Sequence, residues 1–256
     1  MGKLKFELLT MPDTRKHRGA HPEDRKLFAA EQLPVLRRAV GELSWLLTRE
    51  YSMKGALKLV GDKYALTDRQ RLAVSRAACS DQSRERRAGA AIQAKAVAGE
   101  GLIVDGFNLI ITIEAALSGG ILMLCRDGCI RDLSSVHGSY RAVGETETAI
   151  RLIGETFVAL RPVSVEWVLD RPISNSGRLA QRIRDLATER GWNWTVETVF
   201  NPDAAISRSK HVVISSDSHI LDESERWLNL NRYLIDERLA GSWLIDLSCY
   251  GASILA

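Results

Sequence analysis

"GLIVDGFNLIITIEAA", residues 101–116, decides how the rest of the chain is read. An apolar run through Leu102, Ile103 and Val104 stops on Asp105, Gly106 and Asn108 and becomes apolar again at once. Such a run reads as a buried strand with Asp105 at its end. An ionised carboxylate there is costly unless it is solvated, hydrogen-bonded or holding a cation. Gly106 permits a sharp turn without a Cβ clash, and a lone Asp-Gly pair is ordinary turn chemistry. The weight of Asp105 therefore depends on whether other carboxylates join it.

The pattern after residue 101 alternates strands with helices. "VSVEWVLD" (163–170), "NWTVETVF" (193–200), "KHVVISSD" (210–217) and "GSWLIDLS" (241–248) read as strands, with another in "GGILMLCRDG" (119–128). "ETETAIRLIGETFVALR" (145–161) and "SGRLAQRIRDLATERG" (176–191, Gly191 as its C-cap) read as helices, as does "DESERWLNLNRYLIDERL" (222–239). Strands separated by single helices imply right-handed crossovers and an α/β fold, a three-layer, mostly parallel sheet. Asp170 and Asp217 also close apolar strands, and Asp203 follows another in "VFNPDAAI" (199–206). At the carboxyl ends of parallel strands, where ligands collect, Asp105, Asp170 and Asp217 converge with Asp203 nearby. Crowded carboxylates repel one another unless a cation neutralises them. Oxygen donors of this kind suit Mg²⁺ or Mn²⁺, and the arrangement is what metal-assisted phosphodiester cleavage requires.

The first hundred residues read differently. "LPVLRRAVGELSWLLTREY" (33–51) carries Leu36, Ala39, Val40, Leu43 and Leu47 at helical spacing. "HPEDRKLFAAEQ" (21–32), "KGALKLVG" (54–61) and "TDRQRLAVSRAACS" (67–80) read as further helices, the last with Thr67 and Gln70 at capping-box spacing. "SDQSRERRAG" (80–89) reads as a polar junction. The expected domains are a basic helical one over 1–98 and an α/β one over 99–256. Residues 1–100 hold 20 Lys/Arg against 12 Asp/Glu, net +8, and the remainder holds 15 against 20, net −5. That imbalance raises a polyanionic partner alongside a plain solvated basic surface. With 45% hydrophobic and 26% charged residues, the 256-residue chain has an ordinary globular composition. No stretch approaches the roughly 20 apolar residues that span a bilayer, and the opening residues lack a signal-like apolar core. Four cysteines do not read as a disulfide framework. A cytoplasmic protein with no membrane partner is expected, and a homo-oligomer is left open. Trp45 and Trp167 lie within apolar patterns and are read as core.

"LIVDGFNLI", "VEWVLD", "NPDAAI" and "VVISSDSHI" resemble the PIN-like nucleases, especially their NYN branch, over roughly residues 101–247. Pro202 stands where that family usually has Ala. The resemblance implies a PIN-like, Rossmannoid domain whose catalytic positions fall on Asp105, Asp170, Asp203 and Asp217. Asp105, Asp170 and Asp217 would hold Mg²⁺ or Mn²⁺, and Asn108 would support the site from the first turn. "ALKLVGDKYALTDRQRLAVSRAACSD", "CRDGCIRDLSSVHGSYR" and "LDRPISNSGRLA" resemble a two-domain prokaryotic family, domain of unknown function 434 joined to a PIN-like part. The implied function is a divalent-metal-dependent nuclease acting on RNA ahead of DNA. The alternatives are an inactive nucleic-acid-binding module and a metal-dependent phosphoesterase for a small phosphorylated molecule. Two segments depart from the PIN-like pattern. Residues 125–148 add Asp127, Asp132, His137, Arg141 and Glu145 to whatever the rim binds, with Cys125 and Cys129 read as buried or loop thiols in preference to zinc ligands. Ser174, Asn175, Ser176 and Gly177 begin a helix where a substrate phosphate could sit, with Arg178 and Arg182 above it; an ordinary Ser cap is the other reading.

Overall fold

The computed structural model describes residues 17–134 and 138–248. At its centre is β1 (Gly101–Asp105), flanked on one side by β4 (Ser164–Asp170) and on the other by β6 (Val212–Ile214), with β5 (Trp194–Val199) outside β4. All pairings are parallel, with Val104 opposite both Trp167 and Ile214. The strands read as continuous apolar runs because both faces are covered. Leu102, Val104, Val165, Trp167, Val212 and Ile214 face α6 (Gly106–Leu117), α7 (Thr146–Leu160), α8 (Ser176–Arg190) and α11 (Leu230–Arg238). Ile103, Val168 and Val213 face α9 (Pro202–Ser207), α10 (Ser218–Glu223) and Trp227. The fold is therefore α/β in three layers, as its alternating pattern predicts. No described helix is long and apolar enough to cross a membrane.

The helical region supplies α1 (Asp24–Leu27), α2 (Leu33–Thr48), α3 (Met53–Lys63), α4 (Asp68–Ala77) and α5 (Asp81–Ala90). The capping box on α4 forms as expected, Thr67 and Gln70 each bonding the other's backbone N–H. The helix predicted over 21–32 shrinks to the four residues of α1. The polar junction over 80–89 is instead α5, begun by the Ser80 side chain accepting from the Ser83 N–H. Trp45 is 52% exposed, whereas Trp167 is fully buried.

Two expected strands leave the main sheet. β2 (Leu122–Leu124) and β7 (Leu244–Asp246) pair with each other, and β3 (Ile130–Asp132) adds antiparallel to β2 in a separate sheet of order β3-β2-β7. Ile121, Met123, Ile245 and Leu247 from this sheet and its flanks complete the core of the helical layer with Leu36, Val40, Leu43 and Val74. The helices and the α/β part thus share one apolar core. The helix predicted over 222–239 is broken into α10 and α11. Between them Trp227 bridges to Val213 of β6 and to Ala91, and the Val213 N–H donates to the Arg226 carbonyl. This segment covers the β6 edge, which would otherwise present unpaired backbone groups.

Candidate functional site

Asp105 ends β1 and is also the N-cap of α6, its Oδ1 accepting from the Asn108 N–H at 3.4 Å. Gly106 is required here by close approach. A Cβ on it would lie 2.6 Å from Leu169 Cδ2 and 3.2 Å from the Val168 carbonyl of β4. The Leu169 side chain fills the space that a Cβ at Gly106 would take. The Asn108 side chain reaches across to the turn after β6, where its Oδ1 accepts from both the N–H (2.9 Å) and the hydroxyl (2.7 Å) of Ser216. Ser215 links two of the carboxylate positions: its hydroxyl donates to Asp105 Oδ2 at 2.8 Å and accepts from the Asp217 N–H at 2.9 Å. Asp217 lies beyond the end of β6 as the N-cap of α10, accepting from the N–H groups of His219 (2.8 Å) and Ile220 (3.3 Å).

The chain runs outward from β1 to β4 and β5, then returns to the other side of β1 as β6. Asp105 at the end of β1 and Asp217 in the turn after β6 stand at that reversal, where open parallel sheets form a crevice. Asp170 ends β4 opposite Val199, and Asp203 lies in the first turn of α9. The charges of Asp203 and Asp217 act on their acidic neighbours. Burial, with the negative charges of Asp217 and Asp203, pushes the Asp105 carboxyl up to about 7 against the bonds from Ser215 and Asn108. Burial and Asp203 raise Asp170; burial, Asp217 and Glu223 raise Asp203, which His219 partly offsets. Among the described residues, no group of three His, Cys, Asp or Glu side chains is drawn close enough to hold a metal ion jointly. The donors are nevertheless hard oxygens, and Mg²⁺ commonly needs one or two carboxylates because it keeps several waters.

Behind the rim sits an ion cluster that connects the two regions of the chain. Asp127, between β2 and β3, takes Arg87 of α5 at 2.5 Å and Arg131 of β3 at 2.7 Å, all three side chains being more than nine-tenths buried. Arg131 Nε donates to the Ser216 carbonyl at 2.7 Å, and Arg87 Nη2 donates to the Ser218 carbonyl at 3.1 Å. The backbone on either side of Asp217 is thus held by two guanidiniums, and Arg87 also pairs with Asp222 at 2.8 Å. Although burial opposes it, the two arginines hold the Asp127 carboxyl well below the usual carboxylate range.

Residues 94–233 match the family "Domain of unknown function (DUF5616)" and residues 35–89 match "Protein of unknown function (DUF434)". The chain belongs to the DUF5616 family. An uncharacterised protein of Methanocaldococcus jannaschii is 31% identical over 186 residues, covering 73% of this chain and 88% of that protein. No solved structure matches the chain significantly. The DUF5616 match holds Asp105, Asp170, Asp203 and Asp217, and the DUF434 match reaches Arg87.

The other expected site residues are placed differently. Asp127 does not extend the rim but lies in the ion cluster. Asp132 accepts from the Thr112 hydroxyl and the Ser134 N–H, both at 2.7 Å, and Glu145 meets His17. His137 lies outside the described residues. Cys125 and Cys129 are buried, and burial pushes the Cys125 thiol up to about 11. In the 174–178 turn, Asn175 takes a left-handed conformation (φ 68°) and its amide donates to the Tyr140 carbonyl at 2.8 Å. The Ser174 N–H donates to Gly138, and the Ser176 hydroxyl to Arg171. The Asn175 and Ser174 bonds fasten the turn to the 138–140 segment. Arg178 and Arg182 instead line a groove of about 700 Å³ between α7 and α8, together with Glu147, where Arg182 pairs with Glu147 at 2.9 Å. Sequence reasoning passed over Ser215 and Ser216, whose signal was the hydroxyl pair preceding Asp217. It also passed over Arg87, which sits in a helix without an apolar stripe.

Proposed function

We propose that the chain is a divalent-metal-dependent phosphodiesterase that cleaves nucleic acid, RNA ahead of DNA, at the rim of Asp105, Asp170, Asp203 and Asp217. The observation that carries this reading is the acidic set at the carboxyl end of the sheet, where burial first, and then the charges of Asp217 and Asp203, raise the Asp105 carboxyl to about 7. A fold that gathers acidic groups at the reversal of a parallel sheet does so at a cost in stability, and a bound cation offsets it. The resemblance of the strand-end motifs to PIN-like nucleases supports the same reading.

Asp105, Asp170 and Asp217 would hold Mg²⁺ or Mn²⁺. When bound, such an ion lowers the pKa of a water and draws charge from a phosphoryl oxygen. The protein's own groups then have distinct tasks. Ser215 and the Asn108 N–H orient the two oxygens of Asp105, while Asn108 ties the turn after β1 to the turn after β6. Asp203, exposed and raised in pKa by its acidic neighbours, is suited to accept a proton from the attacking water. Arg178, at the groove between α7 and α8, supplies a cation for a substrate phosphate.

The test is cleavage of labelled single-stranded and structured RNA in Mg²⁺, Mn²⁺ or EDTA, with Asp105→Asn, Asp170→Asn and Asp217→Asn. Activity is expected to need the metal and to collapse in each variant, a double variant being little worse than the worst single one. Cleavage that survives both EDTA and Asp105→Asn overturns the assignment. Stabilisation by Mn²⁺ without cleavage converts the reading to a binding module.

A further inference from the structure

Phe200 is 73% exposed, the highest of the large apolar side chains described, and it belongs to none of the apolar clusters. One exposed ring needs no explanation by itself. This one is part of a built arrangement. The Arg171 guanidinium lies 4.9 Å from its ring centroid. Arg171 is itself pinned, its Nη2 donating to the Thr198 carbonyl at 2.7 Å and its N–H to the Val199 carbonyl at 2.8 Å. The register of β4 and β5 puts this pair at the rim. Asp170 pairs with Val199, so Arg171 and Phe200 are the next residues beyond those two strand ends, and Asp203 follows Phe200 by three positions. An aromatic face backed by a pinned cation thus continues the two strand ends next to Asp170, on whose carboxyl the charge of Asp203 acts.

We propose that Phe200, braced on one side by Arg171, is the platform on which an unpaired base of a single-stranded nucleic acid stacks beside the rim. The inference rests on the cleavage reading above and narrows its substrate class to single strands or splayed-out loops. Every base has a π face, so the platform accepts bases without demanding a sequence, whereas a paired duplex does not expose an internal base face to it. The Arg171 charge serves the same ligand in a second way. It attracts the phosphate chain of a strand that approaches the acidic rim.

The experiment uses the full chain in Ca²⁺ at low salt, with three fluorescein-labelled probes: a 12-nucleotide single-stranded RNA, the same sequence as DNA, and the RNA as a duplex. Phe200→Ala is expected to weaken single-strand binding by about 5- to 150-fold, the range for loss of one base–aromatic stack, and to leave duplex binding unchanged. Phe200→Trp is expected to restore it. A 2-aminopurine in the single strand is expected to be quenched by the parent chain and to regain fluorescence in Phe200→Ala. Because the side chain is exposed, the melting temperature should hold in both variants. Single-strand affinity within twofold of the parent in Phe200→Ala overturns the proposal, as does an equal loss on duplex and single strand. If Phe200→Ala turns a dimer into a monomer with nucleic-acid affinity unchanged, the ring is a contact between copies and the proposal falls. If the parent chain binds no single strand, the proposal also falls. The rim is then judged separately by stabilisation with Mn²⁺ and hydrolysis of a small phosphodiester, neither of which needs a stacking base.

Discussion

Replacing Asp105 with Asn tests whether the rim is strained by its own charge. In the folded chain this carboxyl is raised from its ordinary 3.8 to about 7. Between pH about 4 and 7 the unfolded chain has released this proton while the folded chain keeps it, so stability falls as pH rises through that window and levels off above it. Three decades of proton affinity, at about 1.4 kcal/mol each, set a ceiling of about 4 kcal/mol on the strain. Asn removes the charge and keeps the local bonds, because it caps helices well and its amide can donate to the Ser215 hydroxyl. In EDTA at pH 8, Asp105→Asn is expected to be about 2–3 kcal/mol more stable than the parent, equivalent to roughly 4–12 °C for a chain of this size. The gain should shrink to zero near pH 4. Melting curves from pH 4 to 9 measure it, with Mn²⁺ added as a second arm. Mn²⁺ should stabilise the parent by mass action and the variant much less. A variant that melts below the parent at pH 8, or a gain that does not change with pH, refutes the reasoning.

Two further substitutions probe the supports of the rim. Asp127→Ala takes from Arg131 its carboxylate partner and from Arg87 one of two, and is expected to cost about 3–5 kcal/mol, read from the urea midpoint at pH 7; a loss below about 1 kcal/mol counts against the cluster. In the parent the stabilisation from Asp127, whose pKa is depressed, is complete above pH about 4 and disappears as pH falls below it. Gly106→Ala gains about 1 kcal/mol of helix propensity, but its Cβ meets Leu169 and the Val168 carbonyl, and overpacking of that kind costs about 1–3 kcal/mol. The net expectation is a lower melting temperature; a rise means that β4 can retreat from the turn.

Local chemistry written into a few consecutive residues was legible. Asp105 and Asp170 end their strands as read, and Gly191 closes α8 in the left-handed conformation (φ 66°). What escaped depends on partners distant in sequence. The pattern of 119–128 shows a strand but cannot show that Leu122 pairs with Leu244 in a second sheet. The 222–239 stretch keeps a helical period, yet Trp227 does more for the fold as a bridge beside Val213. α5 carries no apolar stripe because its inward residue is Arg87, whose counter-charge lies 40 positions away at Asp127. Trp45 follows the apolar rhythm of α2 and still faces out, its ring covered by the Arg49 guanidinium at 3.6 Å. For the site, the carboxylates announced themselves, but the Ser215, Asn108 and Arg131 bonds that hold their turns could not be read from spacing.

The small sheet has a consequence for how the chain must be made. β7 supplies Ile245, and the residue after it, Leu247, joins the same apolar core as Leu36, Leu43 and Val74. Helices that leave the ribosome early therefore cannot close their interior until a strand about 200 residues downstream has followed, roughly 10–40 s later at ordinary synthesis rates. Until β7 follows, the faces of α2 and α4 that carry Leu36, Leu43 and Val74 lack the side chains that complete their core.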